Sequence, residues 1–215
     1  MPINAMSKTL YIIRHGETDY NKNNIVQGKG VNPSLNVKGK QQGLAFFELY
    51  REVPFEVVLT STLRRTHETV QPFVELGLPW ESLPEIDELS WGVHEGKHST
   101  PEMKQDFYHT IGEWQRGNFE ARAKAGESAA ELSERMDRFV KHLHERPEKH
   151  LLVCTHGRSL RGLICKLKGE SLTEMERYTS YNTALWKAQL HGEDWVFELE
   201  NDISHLALPE LAPHK

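Results

Sequence analysis

The chain has 215 residues and a formal net charge of -5, with 38% hydrophobic and 27% charged residues, a soluble globular composition. Its acidic balance argues against a general nucleic-acid binder. No apolar run approaches the roughly 20 residues that span a bilayer, and the amino terminus lacks the basic start and apolar core of a signal peptide. Met6 offers an alternative start to Met1. Cys154 and Cys165 lie in apolar surroundings with no zinc-type spacing, which reads as two buried thiols in a reducing, cytoplasmic setting.

Lys8 to Arg14 reads as a buried strand that ends abruptly in Arg14-His15-Gly16, where Gly16 frees the backbone to turn. A polar loop follows from Asp19 to Asn36, carrying Asn21, Gln27, Gly28 and Gly30. Asn36 is placed to cap a helix over about Val37 to Glu52, with Leu44, Phe47 and Leu49 among its apolar positions. Phe55 to Ser61 is a second strand. A helix from about Thr62 to Leu76 turns Leu63, Val70, Phe73 and Val74 inward, and Gly77 stops it.

Leu83 to Trp91 is irregular or a short strand, dense in carboxylates (Glu85, Asp87, Glu88), and a loop runs from Gly92 to Pro101. Helices are expected from Pro101 to about Arg116 and from Glu127 to Arg146, the second with Leu132, Met136, Phe139, Val140 and Leu143 on one face. His150 to His156 is a third buried strand, with a helix from Arg158 to Leu167. Thr183 to His191 and Trp195 to Glu200 read as an edge hairpin turning at Gly192. The tail after Asn201 is expected to pack loosely.

This alternation implies a mainly parallel sheet with helices on both faces. Three strands finish in polar residues, at Arg14-His15, Ser61 and Thr155-His156, and in a parallel sheet those ends share one edge. Arg14, His15, Arg65 and His156 can converge there. Two guanidiniums and two imidazoles form a site for a dianion, since the arginine fork matches phosphate oxygens and imidazole titrates near neutrality. One imidazole can attack phosphorus, and the acidic cluster can supply a proton to the leaving oxygen.

These segments resemble the histidine phosphatase superfamily, whose fold is phosphoglycerate-mutase-like, an α/β/α three-layer sandwich. Arg14-His15-Gly16-Glu17-Thr18 looks like the family's RHG motif, and Ser61-Thr-Leu-Arg-Arg65-Thr-His-Glu-Thr69 is similar to its S-x-L-x-R segment. Glu88-Leu-Ser-Trp-Gly92-Val-His-Glu-Gly96 resembles E-x-x-x-G-x-x-E-G, Gly126-Glu127-Ser128 resembles the G-E-S that opens a late helix, and Val153-Cys-Thr-His156-Gly157-Arg158 resembles the second-histidine motif. The resemblance implies that His15 is the phosphorylated nucleophile and that Arg14, Arg65 and His156 bind the phosphoryl group. It implies that Asn21, Gln27 and Gly28 contact phosphate and that Glu88 is the general acid, then the base. It implies no metal and no cofactor.

The whole of 1–215 is expected to form a single domain, with its core at about 8–200 and a lid-like insertion at about 97–126. Three functions compete: a phosphomonoesterase acting on a small phosphorylated metabolite, a cofactor-dependent phosphoglycerate mutase, and a non-catalytic phosphate binder. The mutases resembled carry a longer insertion with paired arginines, whereas this one holds only Arg116 and Arg122, well separated. That favours the phosphatase branch. Glu127 reads as a carboxylate placed near a helix N-terminus. Trp91, Trp114 and Tyr108 suit core packing, lid packing or substrate contact equally. His94 and His98 have zinc-like i, i+4 spacing but sit in a Gly-rich loop, which argues against a metal. The Trp195-Val-Phe strand leaves a homodimer open as an option.

Overall fold

The computed structural model describes residues 8–212. Six strands form the central sheet: β1 (Thr9–Arg14), β2 (Val57–Thr60), β3 (Trp80–Ser82), β4 (His150–Thr155), β5 (Leu185–His191) and β6 (Asp194–Asp202). Their order is β3-β2-β4-β1-β5-β6. β1 to β4 pair in parallel, and β5 and β6 add an antiparallel hairpin at one edge.

The central strands β1, β2 and β4 are buried along nearly their whole length because both faces are covered. Leu10, Ile12, Leu59, Leu151 and Val153 pack against α5 (Ala129–Glu145) and α6 (Gly157–Leu167) in the larger core. Tyr11, Ile13, Val58, Leu152 and Cys154 point the other way, towards α2 (Val37–Tyr50) and α3 (Arg64–Glu75). The period-2 alternation thus feeds two separate cores from the same strands, giving the three-layer α/β/α arrangement.

The helix starts follow local chemistry. Ser128 caps α5 through a capping box with Glu131, and Leu132, Met136, Phe139 and Leu143 turn to the core. Asn36 caps α2 by accepting from Gly39 N. The core-facing stripe of α2 is Gly39, Gln42, Gly43 and Phe46. Leu44 and Leu49, expected to be apolar positions of this helix, are instead 50% and 54% exposed. Glycines and a glutamine hide the true stripe from a hydrophobicity count.

Other expectations shift. The loop after His15 contains a four-residue helix, α1 (Asp19–Lys22). β3 was not anticipated; three residues at a sheet edge carry too little pattern to be read. α3 starts at Arg64, not Thr62, because Thr62 donates its N–H and hydroxyl to Asp87. The tail is packed: Leu206 and Leu211 are buried, and Gln42 and Lys38 donate to the carbonyls of Leu211 and Ala212. The insertion carries α4 (Pro101–Gln115), anchored in the larger core by Ile111 and Trp114. No helix among the described residues is long and apolar enough to cross a membrane.

Two features locate a site. Arg14 pairs with Thr155, so the C-terminal ends of β1 and β4 lie side by side. The chain then leaves β1 towards the α2 face and β4 towards the α6 face. That divergence opens a crevice at the switch point of the sheet.

Candidate active site

The corner Arg14-His15-Gly16 is fixed backbone group by backbone group. His15 N donates to Thr155 O, Thr183 N donates to Arg14 O, and Gly16 N donates to Thr69 Oγ1 at 2.9 Å. The Asn182 amide donates to His15 O at 2.8 Å. Gly16 is required by close approach, since a Cβ there would lie 2.5 Å from Gly39 O. Asn182 and Thr183 were not singled out from the sequence. Thr183 is a β-branched residue at φ +57°, a conformation that costs about 1–3 kcal/mol and persists only when its surroundings enforce it. His205, from the tail, holds it through Nε2 to Thr183 Oγ1 at 2.9 Å.

The tautomers follow from the partners. His15 Nδ1 lies 2.7 Å from Gly16 O. A carbonyl only accepts, so Nδ1 carries the proton and the lone pair of the neutral ring is on Nε2. His156 is the reverse. Arg65 Nε donates to its Nδ1 at 3.1 Å, and its Nε2 then donates to Ser61 Oγ at 2.7 Å. The two rings are 5.1 Å apart. Burial, then the charges of Arg65 and Arg14, hold His15 well below the usual imidazole value. Burial leads for His156 too, with Arg65 next. Both rings are neutral at pH 7.

The cations flank these rings. Arg65 is fully buried and bound to Gly28 O and Val31 O as well as His156. Burial lowers its pKa to about 10, which leaves it charged at neutral pH. Arg14 donates to Ser180 O at 2.7 Å, while its Nε is sealed from solvent with no partner among the described residues. A buried donor without an acceptor is costly, and an anionic ligand would satisfy it.

The acidic cluster separates into three jobs. Asp87 accepts from Thr62, and the Glu85 carbonyl accepts from Arg135. Only Glu88 reaches the crevice, buried and bound by Leu89 N, Arg158 N and Ser159 N at the start of α6. A Cβ added to Gly157 would lie 3.6 Å from Glu88 Oε2 and 3.8 Å from Arg14 Cζ. Glycine there keeps the space between carboxylate and guanidinium open. The crevice therefore presents two guanidiniums and two neutral imidazoles, with the Glu88 carboxyl facing them, which suits a dianion.

Asn21 and Gln27 stand beside the corner, each tied to Thr18. Thr18 N donates to Asn21 Oδ1 at 3.1 Å, and Thr18 Oγ1 donates to Gln27 Oε1 at 3.0 Å. Gly28 contributes its carbonyl to Arg65. Glu95, the second glutamate of the motif that opens at Glu88, accepts from Gly30 N, Ser90 Oγ and Trp91 N. It thereby clamps the Gln27–Gly30 loop to the segment carrying Glu88. Glu127 stands directly before the Ser128 cap of α5, as expected, and its carboxylate has a further task. It forms a buried fork with Arg135, at 2.6 Å from Nε, and Arg135 in turn holds the Glu85 and Asp87 carbonyls and Ser159 Oγ. Gly-Glu-Ser is thus the scaffold behind Glu88. His94 pairs with Asp106 at 2.6 Å, and His98 Nδ1 meets Asn23 O. The two histidines serve different partners.

Comparison with known proteins agrees with this geometry. The model of the histidine phosphatase superfamily (branch 1) matches residues 10–203. The chain belongs to that superfamily, and its fold is phosphoglycerate-mutase-like. It is 29% identical over 219 residues to "Probable phosphoglycerate mutase GpmB" of Shigella boydii serotype 18, covering 94% of this chain and 96% of that one. The α-ribazole phosphatase of Shigella flexneri superposes with a TM-score of 0.80 at 25% identity, covering 90% of this chain and 96% of that one. Bacillus stearothermophilus YhfR gives 0.78 at 24% identity, over 92% of this chain and 98% of its own, a likeness of fold.

Proposed function

We propose that this protein is a phosphomonoesterase that hydrolyses a small phosphorylated metabolite through a phosphohistidine. The observation that carries the reading is the His15 ring: neutral, with its lone pair on Nε2, between a buried arginine and one with an unpartnered Nε. His15 Nε2 bonds to phosphorus as the ester P–O bond breaks. The departing oxygen takes the proton of Glu88, and Arg14, Arg65 and His156 hold the equatorial oxygens. His156 would turn its Nε2–H from Ser61 to the phosphoryl group. A water then attacks phosphorus and returns a proton to Glu88, the Nε2–P bond breaks, and inorganic phosphate leaves. On this reading Asn21, Gln27 and Gly28, tied to Thr18 and Arg65, add contacts to the phosphate. The reading invokes no metal and no cofactor.

Likeness to an α-ribazole phosphatase supports hydrolysis, and α-ribazole phosphate joins phosphoglycolate, phosphoglycerates and sugar phosphates as candidate substrates. The disposition of Arg116 and Arg122 favours hydrolysis over mutase chemistry. Arg116 pairs with Glu113 and Arg122 with Glu131 and Glu120 on the surface, so neither offers its charge to a second phosphate in the crevice.

His15→Ala is expected to cut p-nitrophenyl phosphate hydrolysis at least about 10³-fold in a folded protein. The wild type, acid-quenched during turnover, should carry base-stable, acid-labile phosphate on His15. Undiminished turnover by the variant would remove His15 as nucleophile. Rapid isomerisation of 3-phosphoglycerate with 2,3-bisphosphoglycerate present would make the mutase reading correct.

A further inference from the structure

Beyond the phosphate pocket lies a cavity of about 310 Å³ between Trp91 and α4. Its position ties it to the leaving-group side. Gln27, which accepts from Thr18 beside the His15 corner, lines it. Trp91 stands three residues after Glu88 and forms another wall. Arg158, whose N–H binds Glu88, lays its guanidinium 5.0 Å from the Phe107 ring and 6.0 Å from the Trp91 ring. A phosphoryl group held at His15, with its ester oxygen towards Glu88, directs the rest of the molecule into this space.

Five of the nine lining residues are aromatic or apolar: Val26, Trp91, Met103, Phe107 and Tyr108. Trp91 is buried and ring-packed on Phe107 at 5.0 Å, whereas Tyr108 is 68% exposed at the rim. Charge is scarce there. Lys104 lines the cavity, but His94 is held by Asp106, and the Arg158 guanidinium is paired with Glu176. A small carboxylate- or hydroxyl-rich alcohol finds few partners in such a space. A flat ring finds three aromatic faces and edges and a methionine sulfur. The volume lies at the lower end for small-molecule clefts, which fits one or two rings.

We propose that this cavity is an aryl subsite, and that the protein selects phosphomonoesters whose alcohol carries an aromatic or heteroaromatic ring. This rests on the phosphatase reading above. The ring of the leaving group packs against Trp91 and Phe107, with Tyr108 closing over its outer edge.

The test compares ethyl phosphate with 2-phenylethyl phosphate, two primary alkyl esters whose leaving oxygens are of similar basicity, so that ring recognition is separated from leaving-group chemistry. For the wild type, kcat/KM should favour the phenylethyl ester at least about tenfold, the range an apolar pocket achieves, with the gain chiefly in KM. Phe107→Ala and Tyr108→Ala should each shrink that ratio, and Tyr108→Phe should keep it. Dissociation constants for both esters, measured by calorimetry on His15→Ala, give a readout that needs no turnover. Equal kcat/KM for the two esters would overturn the aryl subsite and leave the phosphatase reading standing. No turnover of either ester, with at least tenfold tighter binding of the phenylethyl ester, would overturn the phosphatase reading and leave the subsite. Equal binding without turnover would overturn both.

Discussion

The phosphate pocket and the cavity beside it are built on opposite plans. His15, Arg65 and His156 are 2%, 0% and 0% exposed and come from three distant segments. Nearly every polar atom there has a fixed partner. The cavity is walled mostly by one local stretch, from Trp91 to Tyr108, and its aromatic faces are partly open. A sealed, charge-bearing pocket on a parallel sheet edge can do the same chemistry on many esters. An insertion packed on the side of the core can change what is attached to the phosphate without disturbing that chemistry. On the phosphatase reading proposed above, the sheet edge carries the reaction and the stretch from Trp91 to Tyr108 the selection.

Glu88 stands where the two regions meet, and changing it gives the largest expected effect. Glu88→Gln should lower kcat/KM for ethyl phosphate by about 10²- to 10⁴-fold, the usual worth of a positioned acid. The loss on p-nitrophenyl phosphate should be much smaller, because nitrophenolate departs without a proton. Equal losses on both substrates would remove Glu88 as the acid and make it a purely structural link to α6.

Asn182→Asp tests whether the pocket depends on its rigidity. The variant sets a carboxylate, which cannot donate, against His15 O. It should lower kcat by about 10- to 100-fold through misplacement of the nucleophile, with a smaller change in KM and a folded circular-dichroism spectrum. A rise in KM at constant kcat would place Asn182 among the binding groups instead.

A smaller effect should appear in stability against pH. Burial and neighbouring guanidiniums hold His15 and His156 well below 6.5, and burial takes His205 to about 4. The unfolded chain binds those protons near pH 6.5 and the folded chain does not, so acid favours unfolding. The stabilisation from neutral histidines is complete above about pH 6.5 and falls as the pH drops below it, by up to about 1.4 kcal/mol per pH unit for each histidine. The melting temperature should therefore decline between pH 7 and 5. A flat profile would mean that the pocket is wetter than its burial indicates, and the contrast with the open cavity would weaken.

Much of this site could be read before folding. The three apolar strands that matter, the polar residues at their ends and the ordered motifs around His15, Arg65, Glu88 and His156 are local patterns. Strand periodicity and helix caps act over a few residues, so a single sequence displays them. Asn182 and Thr183 escaped notice because nothing near them in the chain marks their task; Asn182 meets His15 across 167 positions. Glu95 belongs to the motif that opens at Glu88, but its contact with Gly30, across 65 positions, is not legible there. The place of Glu127 before a helix start was legible, but its pairing with Arg135, two turns along a helix whose rotation relative to Glu88 only packing sets, was not.

The sequence by itself determined the class of chemistry: two arginines, two histidines and a carboxylate at the ends of strands that must be buried. Tertiary structure decided how those groups are poised. It seated the Glu88 carboxyl on the start of α6, put the His15 lone pair on Nε2, left Arg14 Nε without an acceptor and set an aromatic cavity past Trp91. Apart from the His15 tautomer, which the adjacent Gly16 carbonyl sets, these features depend on contacts between residues distant in the chain, where burial and hydrogen-bond partners, rather than residue type, fix charge and access.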